Sequence, residues 1–246
     1  FHHLGAIAPG RRADVVVFSD ISRPIPERVL SGGVWVAEKG EMLPHVIRPK
    51  PPALSPAMHV DMESLNFEIP GTPGYIHVLG LVPDQIVTRK EIHPAPLKDN
   101  QLVADTDRDL LKIAVIERHR GTGAIGKGFV RGFGIKTGAI ASSVAHDSHN
   151  IIVIGVSDAD MKTAATTVVQ MNGGIAAVAE GKLIASLPLP IAGLLSEEPV
   201  EEIDRRFDQL IQAAKTMGSR LADPFMTLSF LALPVIPELK ITDQGL

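Results

Sequence analysis

The sequence predicts an α+β fold, with a small β unit over residues 1–50 and an α+β domain over residues 51–246. Three observations carry this. Apolar runs of strand length recur along the chain, two later segments space their apolar residues as helices do, and the two kinds of element lack regular βα alternation. The second domain is expected to hold a mixed or antiparallel sheet and at least two helices.

Ala13–Phe18 is a short strand behind a turn-rich lead-in at Gly5–Gly10. Val34–Ala37 and Glu41–Leu43 flank Lys39-Gly40 and make a hairpin. Prolines at 44, 49, 51, 52 and 56 remove backbone donors and fix φ, so the stretch from Pro44 to Pro56 is a connection and marks the domain boundary. Beyond it Tyr75–Leu81 and Gln85–Thr88 read as strands, and Leu110–Glu117 as a buried strand. Ala139–Ala145 and Asn150–Val156 are two more, around the polar stretch His146-Asp147-Ser148-His149.

Met161, Ala165, Val168 and Met171 set a helix over Asp158–Asn172, capped by Asp158 and stopped by Gly173-Gly174. Ile175–Leu187 forms a hairpin about Glu180-Gly181. The clearest helix runs from about Pro199 to Leu221, with Val200, Ile203, Phe207, Leu210, Ile211, Ala214, Met217 and Leu221 in one stripe. Ser196 is its expected cap, and a stripe this wide favours packing on a sheet over an oligomer seam. Asp223-Pro224 ends it, and the apolar run from Phe225 to Leu233 is either core or an interface.

With 45% hydrophobic and 21% charged residues, the composition is that of a globular protein. A net charge of −4 gives no basic footprint for nucleic acid. No run approaches the ~20 apolar residues of a membrane span. The absence of cysteine excludes a disulfide framework and a thiolate zinc site, and suits a cytoplasmic location. The chain opens at Phe1 with no initiator Met or signal-peptide pattern and stops at Asp243–Leu246 without a closing element, so it reads as a piece of a longer polypeptide.

The densest group of titratable side chains is His146, Asp147 and His149, set between two apolar runs. Two readings stand: an auxiliary catalytic group that relays protons, or a polar turn whose side chains bond the backbone. Two imidazoles supply at most two metal ligands where a stable site uses three or four. Glu117-Arg118-His119 ends the strand at 110–117 and either meets water or converges on the same turn. Ser143, Glu117 and His119 are therefore the candidate substrate-binding residues. Gly121-Thr122-Gly123-Ala124-Ile125-Gly126 matches G-x-G-x-x-G, but Gly128, Gly132, Gly134 and Gly138 follow it and each costs ~1 kcal/mol in a helix. No helix is expected there, and no dinucleotide; the glycines suit a close-packed loop or short strands.

The stretch from Gly5 to Val17, with its Pro9-Gly10-Arg11-Arg12-Ala13-Asp14 core, resembles the segment that follows the barrel in amidohydrolase-superfamily enzymes, which implies that residues 1–50 are a small β-sandwich remnant. Lys112–His119, Gly128–Gly134, Gly138–Asn150, Leu187–Leu194 and Asp223–Leu239 resemble, in order, the C-terminal domain of bacterial adenine deaminases. That family hydrolyses adenine to hypoxanthine and ammonia in purine salvage. The resemblance implies a divalent metal, manganese or iron, bound in a TIM barrel whose hallmark is a His-x-His pair, and it implies a homo-oligomer. No His-x-His occurs here, so the barrel is absent and no metal ligand maps onto this chain. The barrel domain then becomes the chain's expected partner, and adenine the substrate of the parent enzyme. The alternative is a stand-alone purine-binding or regulatory module without catalysis.

Overall fold

The structure is a computed structural model that describes residues 2–44 and 55–246. Most of the proline-rich connection expected at 44–56 thus lies outside the described residues. The chain divides into two compact units, Phe1–Pro52 and Ala53–Leu246.

In the first unit, β1 (Val15–Val17), β2 (Arg28–Ser31), β3 (Val34–Glu38) and β4 (Glu41–Met42) form an antiparallel meander in that order. The β3–β4 hairpin turns at Lys39-Gly40 as expected, with Lys39 at φ 53° and Gly40 at φ 83°. β2 was not anticipated. It pairs with both β1 and β3, and its Arg28 guanidinium lies 3.7 Å from the centre of the Trp35 ring.

The second unit is built on one eight-stranded sheet. In chain order its strands are β5 (Tyr75–Leu81), β6 (Thr88–Pro94), β9 (Leu110–Ile116), β10 (Ile125–Arg131), β11 (Ala139–Ser142), β12 (Ile151–Gly155), β13 (Gly174–Ala179) and β14 (Lys182–Pro188). A small hairpin of β7 (Leu97–Lys98) and β8 (Gln101–Leu102) stands apart. The spatial order is β14-β13-β11-β12-β9-β10-β5-β6, and every pair is antiparallel except β10 with β5. The fold is therefore α+β with a mixed sheet, and no closed barrel forms among the described residues.

Both faces of the sheet are covered, which is why its central strands are continuous apolar runs without alternation. On one face Ala114, Ile116, Ile151 and Val153 pack with Met161, Ala165 and Val168 of α1 (Asp158–Gln170) and with Leu65 and Phe67. On the other, Ile113, Val115, Ile152 and Ile154 meet Leu210 and Ala214 of α2 (Val200–Thr216) and Phe225 and Leu228 of α3 (Pro224–Phe230). All seven residues of β9 are buried, and each large aliphatic one contributes ~1.5–3 kcal/mol by leaving water. Lys112 is the exception within that run. It extends to the first turn of α1, where Nζ lies 2.5 Å from Asp158 Oδ1.

Several local expectations are corrected. The residues Gln85–Thr88 are a loop ending at the first residue of β6, whose sequence Thr-Arg-Lys-Glu-Ile-His-Pro is too polar to show an apolar strand pattern. The cap of α1 is Ser157, not Asp158: Ser157 Oγ accepts from Asp160 N at 3.2 Å. Helix α2 has Pro199 at its N-cap without a side-chain bond, while Ser196 Oγ accepts from Glu198 N outside the helix. It stops at Thr216 because Gly218 follows with φ 111°. Asp223 does not close α2 but caps α3, accepting from Phe225 N and Met226 N at 3.0 and 2.8 Å. Among the described residues no helix is long and apolar enough to cross a membrane.

Candidate functional site

β9 and β12 are hydrogen-bonded neighbours with Ile116 opposite Ile151, so the residues after β9 and before β12 emerge at the same end of the sheet. That register brings Glu117-Arg118-His119 to the 146–149 turn. His119 Nε2 donates to Ser148 O at 2.7 Å. His146 and His149 meet edge to face with ring centres 5.7 Å apart. The other side of His146 packs on Phe230 of α3 at 4.9 Å, and its backbone N–H donates to Ser229 O at 3.0 Å. Phe230 also lines a cleft of about 560 Å³ together with Leu81, Ile86, Arg220 and Met226.

His149 is the most constrained member. Its φ is +51°, a region that a residue with a Cβ occupies only when its surroundings hold it there. Its N–H donates to Ala145 O at 2.6 Å, and its carbonyl accepts from Arg118 Nε. Nδ1 is buried without a hydrogen-bond partner among the described residues. Burial first, then the neighbouring His146 and Arg118, push the His149 imidazole below its ordinary pKa. The surroundings thus favour the neutral form of the ring. Asp147, the third residue of the trio, is exposed on the turn.

The three candidate substrate contacts have different surroundings. Ser143 is fully buried; its hydroxyl donates to Gly193 O at 2.6 Å and accepts from Gly174 N at 2.8 Å, tying the start of β13 to the loop at Gly193. Glu117 is 8% exposed, and its carboxylate accepts from His119 N, Arg120 N, Thr122 N and Thr122 Oγ1 at 2.5–3.1 Å. Burial alone would raise its pKa and is the largest single influence, but the bonds from Thr122, Arg120 and His119 together outweigh it and hold the group at about 2. That carboxylate is an anchor for the 119–122 loop and carries no proton near neutrality. His119 is exposed and reaches the turn directly.

Sequence reasoning missed Arg118 as the centre of this end of the sheet. It is 3% exposed, and its guanidinium donates to His149 O, Ala57 O and Ala192 O, the last two at 2.6 and 3.0 Å. No carboxylate lies within ion-pair distance among the described residues, so three backbone carbonyls from three segments replace one. From sequence alone the 117–119 strand end lies either in water or against the polar turn, and the partners that bury Arg118 lie 31–74 residues away. For a divalent metal the residues present do not fit. Among the described residues no three His, Asp or Glu side chains form a ligand group, and His119 is committed to a carbonyl.

Within the glycine segment Ile125–Arg131 form strand β10, paired along its whole length with β9, between irregular stretches at 121–124 and 132–138. No helix starts at its glycines.

Residues 85–246 match the model of the adenine deaminase C-terminal domain. Over 242 residues the chain is 53% identical to an adenine deaminase of Desulfatibacillum aliphaticivorans, covering 98% of this chain and 42% of that protein. It is 46% identical over 243 residues to an adenine deaminase of Dehalococcoides mccartyi, covering 98% of this chain and 43% of that one. An adenine deaminase of Listeria welshimeri is 43% identical over 248 residues, with 99% of this chain and 43% of that protein covered. The chain thus spans a little over two fifths of the length of these relatives.

Proposed function

Because the chain belongs to the adenine deaminase C-terminal domain family, we propose that it is the C-terminal part of an adenine deaminase, which turns adenine and water into hypoxanthine and ammonia in purine salvage. The observation that carries this reading is collinearity: near-complete coverage of this chain at 43–53% identity in proteins more than twice its length. In the proposal, residues 1–50 end the β-sandwich of an amidohydrolase, and residues 51–246 form the family's C-terminal domain. A divalent metal, manganese or iron, would be held by the residues of an N-terminal barrel and not by this chain, and would there activate water for attack. The enzyme works in the cytoplasm as a homo-oligomer.

The part assigned to this chain is confined to its own residues. The 146–149 turn faces the reacting base, with neutral His149 as proton acceptor and His146 beside it on Phe230. Asp147 and His119 lie at the exposed edge, where a carboxylate and an imidazole can bond a heterocycle's ring nitrogens or amine. Arg118 and Glu117 hold the two loops in place from below.

The test is ammonia release from adenine by the complete polypeptide and by the 246-residue chain, each with added Mn²⁺ or Fe²⁺. The complete polypeptide is expected to turn over and the chain alone to show no activity above background. Turnover by the chain alone would remove the barrel from the account. Tight adenine binding by the chain, with no deamination by either, would replace the reading by a purine-binding module.

A further inference from the structure

The last glycine of the dinucleotide-like fingerprint, Gly126, and the next one along, Gly128, seat another part of this chain. Gly126 and Gly128 lie two apart on β10, so they share a face, and the turn at 242–246 rests on it. A Cβ at Gly126 would stand 1.9 Å from Thr242 O and 2.6 Å from Gly245 N, and one at Gly128 would stand 2.8 Å from Leu246 Cδ1. The turn is closed by Thr242 N–H to Gly245 O at 2.9 Å and Gly245 N–H to Thr242 O at 3.0 Å, next to the fully buried Ile241. It is therefore a seated element of the fold.

From that seat Asp243 Oδ1 accepts from Asn150 Nδ2 at 3.2 Å. Asn150 is 3% exposed, and its Oδ1 accepts the backbone N–H of Arg118 at 3.4 Å. Arg118 in turn donates to the carbonyl of His149, the residue before Asn150. A continuous set of hydrogen bonds thus runs from the 242–246 turn, across a sequence separation of 93 residues, into the backbone of the polar turn.

We propose that Asp243 is a positioning residue for the 146–149 turn, acting through Asn150, and that β10 carries glycines because they seat the turn that presents it. The assignment of a purpose to this linkage rests on the reading of the 146–149 turn as the chain's contribution to deamination. The physical reason is that a buried amide tolerates neither an unpaired donor nor an unpaired acceptor. With Asp243 removed, Asn150 Nδ2 loses its partner and the amide turns toward another. Arg118 N–H then loses its acceptor, and His149 loses the surroundings that keep it at positive φ.

The linkage can be read without activity, in the whole 246-residue chain labelled with ¹⁵N. Three variants separate the causes: Asp243→Ala removes the acceptor, Asp243→Asn keeps an oxygen at Oδ1, and Gly126→Ala unseats the turn without touching a charge. Asp243→Ala and Gly126→Ala are expected to speed amide exchange at Arg118 and His149 at least ~10-fold and to shift or split the ring ¹⁵N signals of His149. Amides of Ile113 and Val153, inside β9 and β12, are expected to exchange as in the unmodified chain. Asp243→Asn is expected to restore the unmodified pattern. Unchanged His149 signals in Asp243→Ala would overturn the proposal, as would faster exchange spread evenly over β9 and β12, or a failure of Asp243→Asn to restore the pattern. If the linkage holds but Asp243→Ala leaves the complete enzyme's pH profile and kcat/KM unchanged, the functional reading fails and the linkage stands.

Discussion

Replacing Glu117 with Gln tests whether a single carboxylate holds the loop beneath the candidate site. The wild-type carboxylate takes four hydrogen bonds, two on each oxygen, from the 119–122 loop. Gln keeps one oxygen and turns an NH₂ toward the other two donors, leaving them facing hydrogens. Two buried unpaired donors cost ~1–3 kcal/mol each, so a loss of about 2–6 kcal/mol at pH 7 is expected. A second route gives a similar figure. The folded pKa is about 2 against an ordinary 4.5, and each unit corresponds to ~1.4 kcal/mol, so ionised Glu117 contributes on the order of 3 kcal/mol. The group's folded pKa is depressed, so this contribution is complete above pH 4.5 and is lost as pH falls toward 2. Urea unfolding at steps from pH 7 to pH 3 should therefore show the difference between wild type and Glu117→Gln shrinking below about pH 4.5. Taking the difference removes Glu91 and Glu202, which are also held at about 2 and titrate in the same window. A difference that stays constant over this range, or that is under ~0.5 kcal/mol at pH 7, would refute the anchor.

Two further substitutions probe the rest of the fold. Ile154→Ala empties a fully buried position between the sheet and the α2/α3 layer and should cost about 2–5 kcal/mol in urea unfolding; a loss below ~1 kcal/mol would mean the layer is not packed as described. Lys240 is 7% exposed with one bond, to Ile86 O, and burial brings its pKa down to about 8, so the fold favours the neutral amine. Its contribution to stability is complete above the unfolded pKa near 10.4 and is lost as pH falls through 8. Stability should rise between pH 8 and pH 10 in the wild type, and Lys240→Met should reduce that rise, leaving the part due to Lys127, whose pKa burial also lowers; an identical rise in both would refute it.

Legibility in the sequence followed burial. β9, β12 and the β13–β14 hairpin were readable because sheets covered on both faces need uninterrupted apolar runs, and α1 and α2 because each buries one stripe. β6 was hidden because an edge strand alternates Arg89, Lys90, Glu91 and His93 toward water and polar partners. β10 was hidden because its glycines look like loop residues, and their true constraint is the backbone of Thr242 and Gly245, more than a hundred residues away. Helix α3 was missed because seven residues show barely two turns of periodicity, and its cap, Asp223, stood where α2 was expected to stop. At the candidate site, the convergence of Glu117-Arg118-His119 on the 146–149 turn followed from the sequence only as one of two readings, the other leaving these residues in water. The roles of Arg118, Asn150 and Asp243 did not, since hydrogen bonds to distant backbone leave no local spacing to detect.

The account rests most directly on the two imidazoles of the polar turn. Their test is kcat/KM for adenine in the complete polypeptide carrying His146→Asn or His149→Asn, with unfolding midpoints measured on the same samples. Asn preserves hydrogen bonding but cannot take up a proton, so His149→Asn is expected to lose ~100-fold or more at unchanged stability, the low end of what one general acid–base group supplies. Full activity in both variants, or a loss that tracks unfolding, would contradict the account and leave the turn as a structural feature of this end of the sheet.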